Sequence, residues 1–230
     1  TLHDIREEIR KLPQLHDQLW DLFKEVRNKK DMEQFEQFLG DEAKRHEFYG
    51  RLRAFGRCLH ISMSSEKLYD VFNEAKVETF KRDWKAFSEL KRSVQLRYQE
   101  IVDVKEFEPK IQQLLDDHVT AKPAEIIIEA VNINDPDALN RVIAEEGTTA
   151  ASKADRIASA TKRTITEKMD EDPAFYRQFK DMLEETLRAY RDKRISEKEY
   201  LSNVVELASR MARKEHDRQL PESIRKDEDA

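Results

Sequence analysis

The chain has 230 residues, of which 39% are charged and 38% hydrophobic, with four Gly, six Pro and a net charge of −6. Eleven Phe, six Tyr and two Trp are available for a core, which excludes a disordered chain, and the negative net charge excludes a general polyanion binder. A single cysteine excludes an intrachain disulfide, and no run of about 18 apolar residues predicts a membrane span, so a reducing, cytoplasmic setting is expected.

The N-terminal third is predicted to form three helices. Apolar residues at helical spacing predict a first helix over about residues 3–28, which Pro13 kinks or splits. Asp31 is placed to cap a short helix that ends at Gly40, and Asp41 to cap a longer one. The apolar stripe of this third helix consists of Phe48, Leu52, Phe55, Leu59 and Met63. The sequence begins without Met, and we expect it to be a piece of a longer polypeptide.

A short helix and then the longest helix follow. Ser64 or Ser65 is expected to cap the short helix, and the long one covers about residues 76–102. One arc of the long helix is apolar and is predicted to face a core: Val77, Phe80, Trp84, Phe87, Val94, Tyr98 and Ile101. The opposite side carries the basic residues Lys81, Lys85 and Arg92.

The middle of the chain is less regular. Phe107, Ile111 and Leu115 predict another helix, whereas residues 126–128, three consecutive Ile, lie in a segment that we interpret as a short helix or a covering segment. A lone strand there would have nothing to pair with. The Asp135-Pro136 pair then combines a cap with Pro in the first turn, which predicts a helix start.

Three further helices are predicted after Gly147. The first covers about residues 149–169, with an inner face of Ala150, Ala154, Ile157, Ala158, Thr161 and Ile165. Its outer face carries Lys153, Arg156 and Arg163. The Asp172-Pro173 pair begins the second helix, and Ser196 with Glu199 forms a capping box for the third.

These elements predict a mainly α fold, an irregular multi-helix domain of about eight to ten helices with one long central helix and no sheet core. The helical domain is expected to cover residues 1–217, with a possible subdivision near 122–134. Residues 218–230 are expected to form a flexible tail.

Catalytic signatures are missing from the sequence. The four glycines have no phosphate-loop spacing, and the six histidines have no metal-ligand spacing, so we predict no catalytic residue, no metal site and no cofactor. Two Glu-x-Lys matches, at Glu42 and Glu108, are expected by chance in so charged a chain. Cys58 lies beside an apolar stripe and is interpreted as a buried structural thiol.

The basic helix faces leave three interpretations open. Between Lys76 and Arg97 there are seven Lys or Arg against three Asp or Glu. A solvated helix face explains such a surplus, and so does contact with phosphates or with an acidic protein. The candidate DNA-binding residues are Lys81, Lys85, Arg92, Lys153, Arg156 and Arg163.

Several blocks in one order carry a resemblance to a known family. They read "RLRAFGRCLHISMSS", "FKRDWKAFSELKRSVQLRYQEIVDVKEFEPKIQQLLDDHVTA", "SKADRIASATKRTITEKMDEDPAFYRQF" and "RISEKEYL". Together they resemble the C-terminal helical region of the motor and restriction subunit of type I restriction–modification enzymes, over about Leu2–Met211.

The resemblance implies a parent protein that is an ATP-dependent DNA translocase and endonuclease using ATP and Mg²⁺. It also implies partners: the motor lobes of the same chain and the modification and specificity subunits of a methyltransferase core. We therefore expect a non-catalytic docking and support domain. The alternatives are a module that contacts duplex DNA directly and guides it along the motor, and a helical adaptor unrelated to DNA.

Overall fold

The computed structural model describes residues 2–100 and 131–213. These residues form nine α-helices and no strand, which confirms the mainly α prediction. They divide into two compact units, whose described residues are 2–96 with Glu100, and 97–99 with 131–213. The predicted helix around Phe107, the segment at 126–128 and the predicted tail lie outside the described residues.

The first unit contains the five helices α1 (Leu2–Leu22), α2 (Met32–Phe38), α3 (Glu42–Met63), α4 (Leu68–Val71) and α5 (Glu74–Arg97). The last residue of α5 is counted with the second unit. The caps predicted at Asp31 and Asp41 are confirmed, because each carboxylate accepts hydrogen bonds from backbone N–H groups of the next turn. Pro13 lies inside α1, which continues through it, and that helix ends at Leu22, six residues earlier than predicted.

The core of the first unit is aromatic. Phe23, directly after α1, stacks on Phe87 of α5 with ring centroids 5.5 Å apart, and it meets Phe48 of α3 edge-on with ring centroids 5.3 Å apart. Trp84 is 2% exposed, which confirms its prediction as a core residue. These three helices therefore bury one apolar face each against the others.

The second unit contains α6 (Pro136–Ala144), α7 (Ala150–Lys168), α8 (Pro173–Arg191) and α9 (Glu197–Ala212). Asp135, Asp172 and the Ser196–Glu199 capping box begin their helices as predicted. Small residues on α7 let neighbouring helices approach closely, and α9 packs against both α7 and α8. The core includes Ile157, Phe179 and Tyr200.

Within residues 2–100 and 131–213, two helix ends have a residue other than glycine in the left-handed conformation. Gln99 follows α5 with φ 52°, and the N–H of Glu100 closes onto the carbonyl of Gln95 at 2.9 Å. Lys193 follows α8 with φ 57°, and the N–H of Arg194 donates to the carbonyl of Ala189 at 2.8 Å. Both ends have the hydrogen bond of a Schellman-type stop, which explains why α5 ends at Arg97 instead of near residue 102 as predicted.

Candidate nucleic-acid interface

The basic face of α5 is interspersed with acidic residues. Lys85 and Arg92 are exposed. Lys81 is less exposed, and its Nζ is 2.9 Å from a carboxylate oxygen of Glu78. Glu78 and Glu89 are both exposed on the same helix. The α5 face is therefore of mixed charge, which weakens the attraction of a phosphate to it.

Two of the three basic candidates on α7 bind groups of their own unit. Lys153 Nζ donates to the backbone carbonyl of Ile143 at 2.7 Å, and the Arg156 guanidinium pairs with the carboxylate of Glu145. Both contacts lie at the C-terminal end of α6, where unpaired carbonyls and the helix dipole favour cations. Arg163 is half-buried on α7. Lys153 and Arg156 therefore stabilise the C-terminal end of α6.

The α5 and α7 candidates belong to different units. Their assignment to DNA binding stays a prediction.

A basic face on α3 was missed by the sequence analysis. His46, Gly50, Arg53 and Arg57 are all exposed and fall within an arc of roughly 60° at 100° per residue. Gly50 is helical, and a Cβ added to it would meet nothing within 4 Å. The signal that could have found this face is the spacing of Arg53 and Arg57, four residues apart in "RLRAFGR".

A buried polar triad joins α1 to α5 inside the aromatic core of the first unit. His16 Nε2 lies 2.9 Å from Asp83 Oδ2, and Trp20 Nε1 donates to the same oxygen at 3.0 Å. Burial raises the pKa of Asp83, but hydrogen bonds from His16, Trp20 and Arg82 more than offset that effect and hold the pKa below its ordinary value. The triad has no nucleophile and is interpreted as a structural link.

A half-buried carboxylate makes a second polar cluster in the first unit. Glu100 accepts hydrogen bonds from Arg45 Nε and from the Tyr49 hydroxyl, each at 2.6 Å. Arg45 also donates through Nη1 to the carbonyls of Leu39 and Gly40, both at 3.0 Å. The Arg45 guanidinium therefore pairs with carbonyl groups at the end of α2, and few of its N–H donors remain for an outside ligand.

In the second unit, the carboxylate of Asp155 likewise accepts hydrogen bonds from an arginine and a tyrosine. Its carboxylate accepts from Arg97 Nε at 2.8 Å and from the Tyr200 hydroxyl at 2.8 Å, with the Tyr98 hydroxyl 3.4 Å away. The side chain of Arg97 is 1% exposed and that of Asp155 is 13% exposed. Burial, followed by the charge of Asp155, raises the pKa of Tyr200 well above its ordinary value. A neutral tyrosine that donates to a carboxylate is a packing feature and not an acid poised for catalysis.

Neither a reactive thiol nor a metal cluster is found in the described ranges. Cys58 is buried, its Sγ donates to the carbonyl of Glu8 at 3.0 Å, and burial raises the pKa of its thiol to about 12. The burial of Cys58 agrees with its interpretation as a buried structural thiol. Within residues 2–100 and 131–213, no three His, Cys, Asp or Glu side chains are grouped so that they could hold a metal ion.

The corner around α4 exposes apolar side chains. Tyr69 is 55% exposed and Val71 is 48% exposed. Val71, but not Tyr69, also lines a shallow depression of about 450 Å³, whose other lining residues are Phe72, Asn73, Ala75, Lys76 and Thr79. Exposed apolar groups that adjoin a concave surface are typical of protein-binding sites.

Among the described helices, none is both long enough and apolar enough to cross a membrane. A family model described as "Type I restriction enzyme HindI endonuclease subunit-like, C-terminal" matches residues 4–230. No curated protein and no solved structure shows a significant match to the chain. The chain therefore belongs to the family of C-terminal regions of type I restriction enzyme endonuclease subunits that are like the HindI subunit.

Proposed function

We propose that this chain is a non-catalytic docking and support domain. In this proposal it attaches the motor lobes of a cytoplasmic type I restriction enzyme to the modification and specificity subunits, while ATP and Mg²⁺ act on other parts of the polypeptide. The observation that carries the proposal is the exposed apolar corner at α4, formed by Tyr69 and Val71 beside the depression. Apolar side chains left in water gain free energy when a partner covers them.

The buried charges support the same conclusion. Asp83 and Asp155 are each bound by several side chains of their own unit, and among the described residues neither belongs to a group of three or more His, Cys, Asp or Glu side chains that could hold a metal ion. Polar groups arranged in this way rigidify a domain and fix its helices, as a support needs.

The test is capture of the purified methyltransferase core by the tagged chain, with and without duplex DNA. The double variant Tyr69→Ser/Val71→Ser should lose most of the capture, because it removes the apolar corner. Met32→Ser is the matched control, since Met32 is also an exposed apolar residue of the first unit. Capture that is equal for all three proteins would show that the corner is not the docking site.

The second candidate function is direct contact with duplex DNA. Exposure of Lys85 and Arg92 on α5 favours it. Anisotropy of a labelled duplex, compared between the chain and the triple variant Lys81→Glu/Lys85→Glu/Arg92→Glu, is the test. Three phosphate contacts correspond to a log–log salt slope of only about −2.7, so we expect weak binding at most from the isolated chain.

A further inference from the structure

The charges around the apolar corner at α4 indicate the kind of partner that it fits. We infer that the corner docks on a basic protein surface, one with an apolar centre and a rim of Lys or Arg side chains. Tyr69 and Val71 make the central contact, and the carboxylates of Glu66, Asp70 and Glu74 meet the basic rim. The inference rests on the docking function proposed above and adds the chemistry of the partner surface.

The corner lies in an acidic stretch between two basic helices. Residues 64–79 contain four Asp or Glu against two Lys. Residues 42–63, which form α3, contain five Lys or Arg against two Glu, and residues 80–97 of α5 contain six Lys or Arg against two Asp or Glu. Negative charge is therefore concentrated where the apolar side chains are exposed, and a cationic surface is attracted to this part of the chain.

Three carboxylates of the acidic stretch are available to a partner. The side chains of Glu66, Asp70 and Glu74 are exposed. Within the part of the chain that the structure describes, none of the three makes a side-chain hydrogen bond or an ion pair, whereas Glu78 pairs with Lys81 at 2.9 Å. A partner that covers these carboxylates removes their water, so a surface that supplies Lys or Arg is favoured over an apolar or an acidic one.

The carboxylates flank the apolar side chains along the chain. Asp70 lies between Tyr69 and Val71, and the N–H of Tyr69 donates to the backbone carbonyl of Glu66 at 3.1 Å. Glu74 begins α5 three residues after Val71. An apolar centre with a polar rim is the usual arrangement of a protein-binding surface, and Tyr is among the residues that contribute most to its binding free energy.

Side chains beneath the corner fix its backbone. Leu68 is fully buried, and the N–H of Phe72 donates to its carbonyl at 2.9 Å. The ring of Phe72 meets that of Phe80 edge-on, with ring centroids 5.6 Å apart. Asn73 Oδ1 accepts a hydrogen bond from the N–H of Lys76 at 2.9 Å and so fixes the start of α5. A surface that is already ordered in the free chain loses little conformational entropy when it binds.

The main test is the association rate of the complete chain with the purified methyltransferase core. It is measured at about 50 mM and about 500 mM salt, a range over which the screening length falls about threefold. The unchanged chain should associate more slowly at the higher salt. Glu66→Lys/Asp70→Lys/Glu74→Lys should slow association about tenfold or more at the lower salt and reverse the effect of salt, because repulsion replaces attraction.

The matched control is Glu167→Lys/Glu171→Lys/Glu206→Lys, which makes the same change of net charge on exposed carboxylates of the second unit. It should change the association rate by less than about twofold, since charges far from the contact are screened.

A neutral variant separates charge from folding. Lys in the first turn of α4 and α5 is unfavourable for those helices, whereas Glu66→Gln/Asp70→Asn/Glu74→Gln introduces no positive charge. The neutral variant should keep the far-ultraviolet circular dichroism of the unchanged chain and associate at a rate that depends less on salt. Tyr69→Ser/Val71→Ser should act on the other rate and speed dissociation.

The outcomes separate this inference from the docking proposal. If binding to the core needs Tyr69 and Val71 but neither charge variant changes the association rate, the corner docks without a basic rim and the inference is wrong. If the Lys variant associates faster than the unchanged chain, the partner surface is acidic and the inference is also wrong. If the unchanged chain does not bind the core at either salt concentration, the docking proposal is refuted, and the partner chemistry with it.

Discussion

Replacing Asp83 by asparagine tests whether the buried triad stabilises the first unit. The Asp83 side chain is 10% exposed, and its Oδ2 is bound by His16 and Trp20. Hydrogen bonds to a charged acceptor contribute about 1.5–3 kcal/mol each, against about 0.5–1.5 kcal/mol for neutral pairs. Asp83→Asn keeps the shape but removes the charge, so we expect the free energy of unfolding to fall by about 1–2 kcal/mol at neutral pH.

The stabilisation that Asp83 provides should depend on pH in one direction. The pKa of Asp83 is lower in the folded chain than its ordinary value of 3.8, so the carboxylate stabilises the fold fully above that value. The contribution is lost as the pH falls through the lower, folded pKa. The difference between the unchanged chain and Asp83→Asn should therefore be constant near neutral pH and shrink below about pH 4.

Urea unfolding followed by far-ultraviolet circular dichroism, between about pH 3 and pH 8, measures both effects. Glu89→Gln is the matched control, because Glu89 is an exposed carboxylate on the same helix and its loss should change stability by less than about 0.5 kcal/mol. If Asp83→Asn were as stable as the control, or if its deficit did not change with pH, the triad would be a passive contact and the reasoning would be refuted.

Four other predictions follow from the same structure. Trp84→Ala should cost about 3–5 kcal/mol in unfolding free energy because it empties a core site, and an unchanged urea midpoint would contradict its burial. Lys193→Gly should raise the thermal midpoint, because glycine adopts positive φ without strain, and a lower midpoint would count against this. Gln99→Gly should lower the thermal midpoint, although glycine also adopts positive φ without strain at this position. The reason is that Gln99 Oε1 accepts a buried hydrogen bond from the N–H of Val131 at 2.9 Å, which the glycine variant loses. A higher midpoint would show that this hydrogen bond contributes little. The purified chain should show neither ATPase nor nuclease activity, and magnesium-dependent cleavage of plasmid DNA that survives repurification would disprove it.

Local signals predicted the helix starts because their physics is local. Asp31, Asp135, Asp172 and Ser196 each satisfy backbone N–H groups two or three residues ahead, and any chain that forms those helices needs such a partner. The aromatic stripe of α5 was predictable for a similar reason, since a periodic apolar face has to be buried.

The end of α5 could not be predicted in the same way. Gln99 is not a typical residue for positive φ, and what holds it there includes its bond to Val131, 32 residues further along the chain. The short helix α4 was predicted to begin with a Ser64 or Ser65 cap, but its N-cap is Lys67, which makes no side-chain cap bond. Ser65 nevertheless takes part in the turn before α4, because its Oγ accepts a hydrogen bond from the N–H of Lys67 at 3.3 Å.

The partner of each basic side chain could not be predicted from the sequence either. Lys153 and Lys85 both read as outward-facing cations, yet Lys153 binds the end of α6 whereas Lys85 is exposed. Arg97 belongs to the last turn of a basic helix but is buried against Asp155, 58 residues away. Such pairings depend on which helices meet, and helical periodicity contains no information on that point.

Competition for the methyltransferase core is the most direct test of the docking proposal. The chain is added in increasing excess to the assembled restriction enzyme, and the motor subunit that stays bound to the core is measured. Docking predicts that the chain displaces the motor subunit in a dose-dependent way and that Tyr69→Ser/Val71→Ser does not. Full retention of the motor subunit at saturating chain would contradict the proposal.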